Sequence, residues 1–371
     1  MSFYSICSKY KDFNLESFNK QITKNDIRKI LKKSKLNSMD FLALLSPTAE
    51  YFLEDMAQLS HKLTVQQFGK TILMYTPMYL ANYCTNQCVY CGFNAVNSIG
   101  RNQLTFEEVE KESKLISSKG FRHILILTGD AKSISSVEYI SKCVDILRKY
   151  FNSIGIEIYA LEENEYSTLV QAGVDSLTIY QETYNEELYD KLHLKGPKKD
   201  YRFRLDAPER ACKANIRSVN VGALLGLDNW QKDAFLTGLH AEYIQNKYSH
   251  IDVNVSMPRI RPHVGEDFPC MPVNDKNLVQ FILALRLFIP RVGITMSTRE
   301  DVNFRNNVLP LGVTKMSADS NTSVGGHSKN SDDNGQFDIS DNRDLQDMLL
   351  DIKNLDISQF LKIGISYSFS L

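Results

Sequence analysis

The sequence predicts an α/β protein built on one (β/α)8 TIM-type barrel, with an N-terminal helical extension and a short C-terminal tail. Three observations carry this reading. Short apolar runs alternate with helical patterns eight times, which is the order of a parallel barrel rather than an open sheet. Each run leads into a polar cluster, and in such barrels chemistry collects at the C-terminal ends of the strands. The chain has 371 residues, enough for one barrel of about 250 residues with extensions at both ends.

Residues 1–70 form the extension. Their spacing is helical, as in Leu42, Leu44 and Leu45 and then Tyr51, Phe52, Met56 and Leu59, and Ser46-Pro47 breaks one segment from the next. The barrel is assigned to residues 71–320. Its first strand, Leu73 to Leu80, enters a cysteine-rich loop. The second, Ile124 to Leu127, ends in Thr128-Gly129-Asp130, and the third, Ile154 to Tyr159, in Leu161-Glu162-Glu163. The fourth, Ser176 to Tyr180, runs into Gln181-Glu182-Thr183-Tyr184, and the fifth, Val219 to Leu225, stops at Gly226. The sixth, Ile251 to Val255, is followed by Met257 to Pro262. The seventh, Val292 to Met296, ends in Ser297-Thr298-Arg299-Glu300, and the eighth, Val313 to Met316, in Ser317-Ala318. Helical patterns lie between, such as Leu278, Phe281, Ile282, Leu285 and Phe288. Residues 321–371 are read as a tail packing on the barrel, with a polar stretch from Ser317 to Asn334.

Composition narrows the function class. With 43 basic and 44 acidic residues, a net charge of −1, there is no basic face to attract nucleic acid or an anionic membrane. No stretch approaches the ~18 apolar residues of a span; the best, Phe281 to Ile289, is interrupted by Arg286. Seven cysteines without framework spacing and a start without a signal-peptide pattern point to a reducing, cytoplasmic compartment.

Cys84, Cys88 and Cys91 stand in C-x3-C-x2-C spacing with no fourth cysteine nearby. Thiolates gathered this closely select zinc or an iron-sulfur cluster. Zinc closes its tetrahedron with a second C-x2-C or an H-x3-5-H pair, and neither follows. Cys143 lies in a helical pattern and His123 precedes a buried strand. A zinc-stapled module is the alternative from another class.

The motif, with Tyr90 before its last cysteine, resembles that of radical S-adenosylmethionine (SAM) enzymes. Further phrases extend the resemblance over nearly the whole chain: Tyr79-Leu80-Ala81-Asn82-Tyr83-Cys84, Tyr180-Gln181-Glu182-Thr183-Tyr184, His193-Leu194-Lys195-Gly196, Arg259-Ile260-Arg261-Pro262 and Ser297-Thr298-Arg299-Glu300. Together these are similar to the 2-iminoacetate synthases, radical SAM tyrosine lyases of thiamine biosynthesis. The resemblance implies a 4Fe-4S cluster on Cys84, Cys88 and Cys91 with SAM on the fourth iron. It implies L-tyrosine as substrate, a reducing donor such as flavodoxin or ferredoxin, and thiazole synthase as protein partner. The related tyrosine lyase of iron-only hydrogenase maturation carries a second cysteine-bound cluster in a C-terminal extension, whereas no cysteine here follows Cys270.

The same resemblance assigns roles. Thr128, Gly129 and Asp130 meet SAM, with Glu163 and Glu182 as further cofactor contacts and Glu182 placed on the ribose. A helix N-cap is the plain structural role for Asp130. Arg299, with Ser297 beside it, matches the carboxylate-binding position, because a planar guanidinium pairs bidentately with a carboxylate. Arg259 and Arg261 are second candidates, one of them structural. Tyr79, Tyr83, Gln181 and Tyr184 are candidates for the pocket wall.

Overall fold

Eight parallel strands close on themselves: β1 (Thr71–Ala81), β2 (His123–Thr128), β3 (Ser153–Glu157), β4 (Ser176–Glu182), β5 (Ser218–Ala223), β6 (Asp252–Ser256), β7 (Gly293–Met296) and β8 (Lys315–Ser317). The computed structural model describes residues 2–265, 268–328, 335–354 and 358–360. β1 makes the closure, pairing with β2 from Thr76 to Ala81 and with β8 from Leu73 to Tyr75. Every predicted strand overlaps an observed one. The ninth, β9 (Ser358–Phe360), was not anticipated: it pairs with Thr71–Leu73 at the N-terminal end of β1. The segment Ser366–Leu371 lies outside the described residues.

Helices cover the barrel, many of them begun on a side-chain cap and turning an apolar stripe inward. Thr105 and Glu108 form a reciprocal capping box at the start of helix Phe106–Ser118. Asn274 and Asn277 do the same for helix Asp275–Phe288, which buries Leu278, Phe281, Ile282 and Leu285. Arg286, the charge that interrupts that run, is fully buried too. Its guanidinium donates to the carbonyls of Pro290, Val292 and Gly312 at 2.6–2.9 Å, and burial pushes its pKa down to about 9.

The N-terminal helices pack on one side of this shell. Phe41 stacks on Phe288 with centroids 4.6 Å apart, and Phe3 on His240 at 4.1 Å. Gln280 donates to the carbonyls of Leu44 and Ser46.

After β8 the chain recrosses the C-terminal face and is clamped by charge. Asp341 is fully buried and pairs with Arg305 and Arg343. Arg343 also reaches Asp351. Helix Leu345–Asn354 then buries Leu345, Met348 and Ile352, so that face of the tail is not a free surface. Among the described residues, no helix is long and apolar enough to cross a membrane.

Candidate active site at the C-terminal face of the barrel

The cysteine loop leaves β1 and is fixed by side chains donating to its carbonyls. Arg101 donates to those of Asn82, Phe93 and Asn94 at 2.6–2.9 Å. Asn94 reaches the carbonyl of Cys88, and Asn97 those of Cys91, Gly92 and Val264. A second segment props the loop from outside: Gln87 and Leu194 exchange backbone bonds with Lys195 and Gln87, and Val89 donates to Leu192. His193 donates from Nδ1 to the Tyr189 carbonyl at 2.7 Å and accepts the Tyr90 hydroxyl at Nε2 at 2.6 Å. Burial pushes its pKa down to about 2, so it stays neutral. The phrase His193 to Gly196 is therefore a buttress of the loop.

Cys84, Cys88 and Cys91 are free thiols, Cys88 buried and the other two half-buried. Burial first, and then mutual repulsion among the thiolates, raises the Cys88 thiol to about 12; Lys198 partly offsets this. A shared set of thiols that resist ionisation calls for a strongly cationic group to ionise them. Among the described residues no three His, Cys, Asp or Glu side chains gather around a single ion position.

The end of β2 is fitted to this loop. Gly129 donates to the Ala81 carbonyl at 3.0 Å, and a Cβ there would strike the carbonyl oxygen of Tyr83. Only glycine permits that approach. The hydroxyl of Thr128 is buried without a protein partner, which leaves it for a ligand. Asp130 is not the helix N-cap. Its helix starts later, on the Ser136 cap, and its carboxylate accepts from Asn86 at 2.7 Å while its carbonyl accepts from Thr85. It ties the cysteine loop to β2.

Glu182 follows a bulge in β4 with a φ of 71°, a backbone a glutamate adopts only under constraint. Lys198 at 2.6 Å and Arg204 at 3.5 Å supply that constraint. Glu163 departs from expectation: it is exposed in the first turn of helix Glu163–Ala172, where an acid complements the helix N-terminus.

Inside the mouth of the barrel lies a cavity. Tyr75, Tyr79, Tyr180 and Phe337 give it aromatic walls, and Ser297, Arg299 and Glu157 supply polar groups. The guanidinium of Arg299 lies 3.4 Å over the Phe337 ring. It donates to the Arg259 carbonyl at 3.5 Å, and among the described residues it has no ion pair. Burial lowers its pKa, partly offset by Tyr79, Tyr180 and Glu157. Glu157 is pushed up to about 7 by burial, with Arg299 pulling the other way.

Arg259, by contrast, is held by Glu300, with Nε 3.1 and 3.0 Å from its two oxygens, and by Asp275 at 2.7 Å. Arg261 donates to Ser340. Neither lines the cavity, so of the three arginines only Arg299 does. Gln181 points away as well, donating to the Tyr201 carbonyl at 3.4 Å. Tyr184 faces outward to His240 at 3.0 Å, and Tyr83 is not among the lining residues. Tyr79 does line the cavity, its hydroxyl donating to Gln336 at 2.8 Å, and the Gln336 amide approaches the Cys91 sulfur at 3.7 Å.

Sequence reasoning missed Glu157, Gln336 and Phe337. Glu157 carried a signal, since Ser153, Gly155 and Glu157 share one face of β3 and make that inward face polar. Gln336 and Phe337 sit in a polar run with no periodicity, and only the return of the tail brings them here.

Comparison with known proteins places this geometry. A model of the Radical SAM superfamily matches residues 78–236, and one of the Biotin and Thiamin Synthesis associated domain matches 256–358. The 2-iminoacetate synthase of Escherichia coli (strain K12) is 40% identical over 322 residues, 86% of this chain and 85% of that protein. That of Salmonella typhimurium (strain LT2) is 38% identical over the same shares. The X-ray structure of the FeFe-hydrogenase maturase HydG from Carboxydothermus hydrogenoformans superposes with a TM-score of 0.85 at 27% identity, covering 98% of this chain and 83% of that one. Methylornithine synthase (PylB), at 22% identity and a TM-score of 0.72, shares the fold. An identity of 40% sustained over most of both chains places this chain in the 2-iminoacetate synthase family of radical SAM enzymes.

Proposed function

We propose that this protein cleaves the Cα–Cβ bond of L-tyrosine to 2-iminoacetate and p-cresol, and that Arg299 holds the tyrosine carboxylate during the reaction. The observation that carries the assignment is a guanidinium in an aromatic-walled cavity with no ion pair among the described residues. Burying a charge without a partner is costly, and a substrate carboxylate removes that cost by a bidentate pair.

Cys84, Cys88 and Cys91 would hold the 4Fe-4S cluster, and Thr128 and Gly129 face SAM. When bound, these groups supply the reductive cleavage of SAM to methionine and 5'-deoxyadenosine, with hydrogen taken from the tyrosine amine. The protein does the rest by position. Glu157 faces the substrate ammonium and, ionising near pH 7, can take its proton. The walls formed by Tyr75, Tyr79 and Tyr180 exclude water and fix the phenol ring. Such positioning is what a reactive radical demands. Arg259 and Glu300 brace the strand end that carries Arg299.

The imine hydrolyses in water, so transfer to thiazole synthase is proposed, with flavodoxin or ferredoxin as the electron source. The test is incubation of anaerobically reconstituted protein with SAM, dithionite and tyrosine. p-Cresol, glyoxylate from the hydrolysed imine and 5'-deoxyadenosine are expected to rise in step. Products derived from tryptophan, with none from tyrosine, would overturn the reading.

A further inference from the structure

Where the tail recrosses the C-terminal face, the cysteine loop itself holds its backbone. Gly92, the residue after Cys91, donates to the Gln336 carbonyl at 3.2 Å. A Cβ at Gly92 would strike that oxygen, so glycine is what admits the contact. From the other side Gln336 donates to the Thr322 carbonyl at 3.3 Å, and the Thr322 hydroxyl donates to the Phe337 carbonyl at 3.1 Å. The backbone of Gln336 is thus clamped between the loop and the tail.

Its side chain is held as well. Tyr79, buried on β1 and set edge-on to Phe93 with ring centroids 5.8 Å apart, donates its hydroxyl to Oε1 at 2.8 Å. Nε2 then faces the Cys91 sulfur at 3.7 Å, within reach of an atom as large as sulfur. The chemistry of the sulfur requires the same orientation: a thiolate only accepts, so the N–H end of an amide meets it and the carbonyl end is repelled. Cys84 differs, because its hydrogen bonds come from the backbone N–H groups of Asn86 and Asp130. Backbone donors are present whatever side chains the chain carries. The donor to Cys91 is a single side chain, 245 residues away in the sequence.

A hydrogen bond to a cluster sulfur stabilises the more negative, reduced state, and so raises the reduction potential. We infer that Gln336 is a positioning residue for the cluster: its side-chain N–H on the Cys91 thiolate eases reduction, and the Tyr79 hydroxyl keeps the amide turned for that contact. The inference rests on the reading that Cys84, Cys88 and Cys91 hold the 4Fe-4S cluster, and it is independent of which substrate fills the cavity. It gives the tail a part in electron uptake. It also joins the two halves of the site, since Phe337, the next residue, lies 3.4 Å under the Arg299 guanidinium.

The test is a redox titration of the anaerobically reconstituted full-length protein, without SAM or tyrosine, followed by electron paramagnetic resonance of the reduced cluster. Gln336→Met keeps the length of the side chain and removes the N–H. It should make reduction about tenfold harder, a shift of ~59 mV to lower potential for one electron. Tyr79→Phe leaves the amide present but unheld and should shift the potential the same way by less. The double variant should go no lower than Gln336→Met alone, because the two act through one bond. Iron and sulfide analysis confirms equal cluster content. If Gln336→Met fails to assemble a cluster, Tyr79→Phe decides: a lowered potential supports the inference and an unchanged one overturns it. An unchanged or raised potential in cluster-bearing Gln336→Met overturns it, as does a double variant in which the two shifts add in full. The two readings fail separately. A wild-type protein with no four-iron signal removes the cluster assignment, whereas a normal signal that is indifferent to Gln336 removes this inference alone.

Discussion

Charges stand fully or half buried at two places on the same face of this barrel, with different surroundings. At the tail clamp Arg305 and Arg343 share Asp341, and Arg343 also holds Asp351; nearby, Arg259 holds Glu300 and Asp275. In the cavity, Arg299 and Glu157 have no ion pair among the described residues. A buried charge left alone is destabilising, so a paired one reads as architecture and an unpaired one facing a cavity reads as a place kept for a ligand. Arg286 is a third case, a buried cation satisfied by three carbonyls. Its two terminal nitrogens are answered by backbone without a ligand.

The largest effects test whether the two places are separable at all. Cys84→Ala, Cys88→Ala and Cys91→Ala should each abolish cluster assembly and SAM cleavage, because each loss leaves an iron without its ligand. Iron and sulfide analysis with 5'-deoxyadenosine quantification checks this. Cys143→Ala, in a helix remote from the loop, should keep the cluster.

Next comes the clamp. Asp341→Ala leaves Arg305 buried and unpaired, which should lower unfolding stability by about 3–5 kcal/mol. Denaturant unfolding of the anaerobic protein measures it. The protein that remains folded should still bind tyrosine at Arg299; if tyrosine affinity fell while stability held, the clamp would belong to the site and the contrast would collapse.

The cavity gives the complementary result. Arg299→Ala should weaken tyrosine binding by about 30-fold or more, the consequence of removing one side of a buried charge-assisted pair, with cluster content unchanged. Lysine should rescue only in part, because a point charge lacks the fork. SAM cleavage is expected to continue, uncoupled from cresol formation. Equal loss of binding in Arg259→Ala with none in Arg299→Ala would move the carboxylate site to the end of β6.

Much of this was legible in the chain because it depends on local pattern. Strand positions follow from apolar period, and the cysteine loop from spacing. Arg299 followed from its place at a strand end together with the family phrase that contains it. What was not legible depends on contacts distant in sequence. Whether Arg259 or Arg299 is open turns on Glu300 and Asp275, and whether Gln181 faces in or out turns on the bulge after Tyr180. Gln336 and Phe337 reach the cavity across the whole barrel. Glu163 stands out in the sequence as an acid in a loop and Glu157 reads as an ordinary strand residue, although of the two Glu157 lines the cavity.

The smallest predicted effect concerns Glu157 and tells an empty charge from a merely tolerated one. Its pKa rises from an ordinary 4.5 to about 7 in the folded chain, so the unfolded chain gives up this proton first. Stability from this residue therefore declines as pH rises from 4.5 to about 7 and then levels. Glu157→Gln removes that titration, and the variant should gain on the wild type across the same window, by on the order of 3 kcal/mol at most. Function should move the other way. At pH 6 both proteins present a neutral group and should bind tyrosine alike; above pH 7 the wild type presents a carboxylate to the ammonium and should bind a few-fold more tightly, the modest worth of one charge-assisted bond. Tyrosine affinity and unfolding free energy measured together from pH 5 to pH 8 check both halves. A variant that gains stability but shows no pH-dependent loss of affinity would make Glu157 a tolerated charge in the cavity wall, leaving Arg299 as the substrate's single ionic contact there.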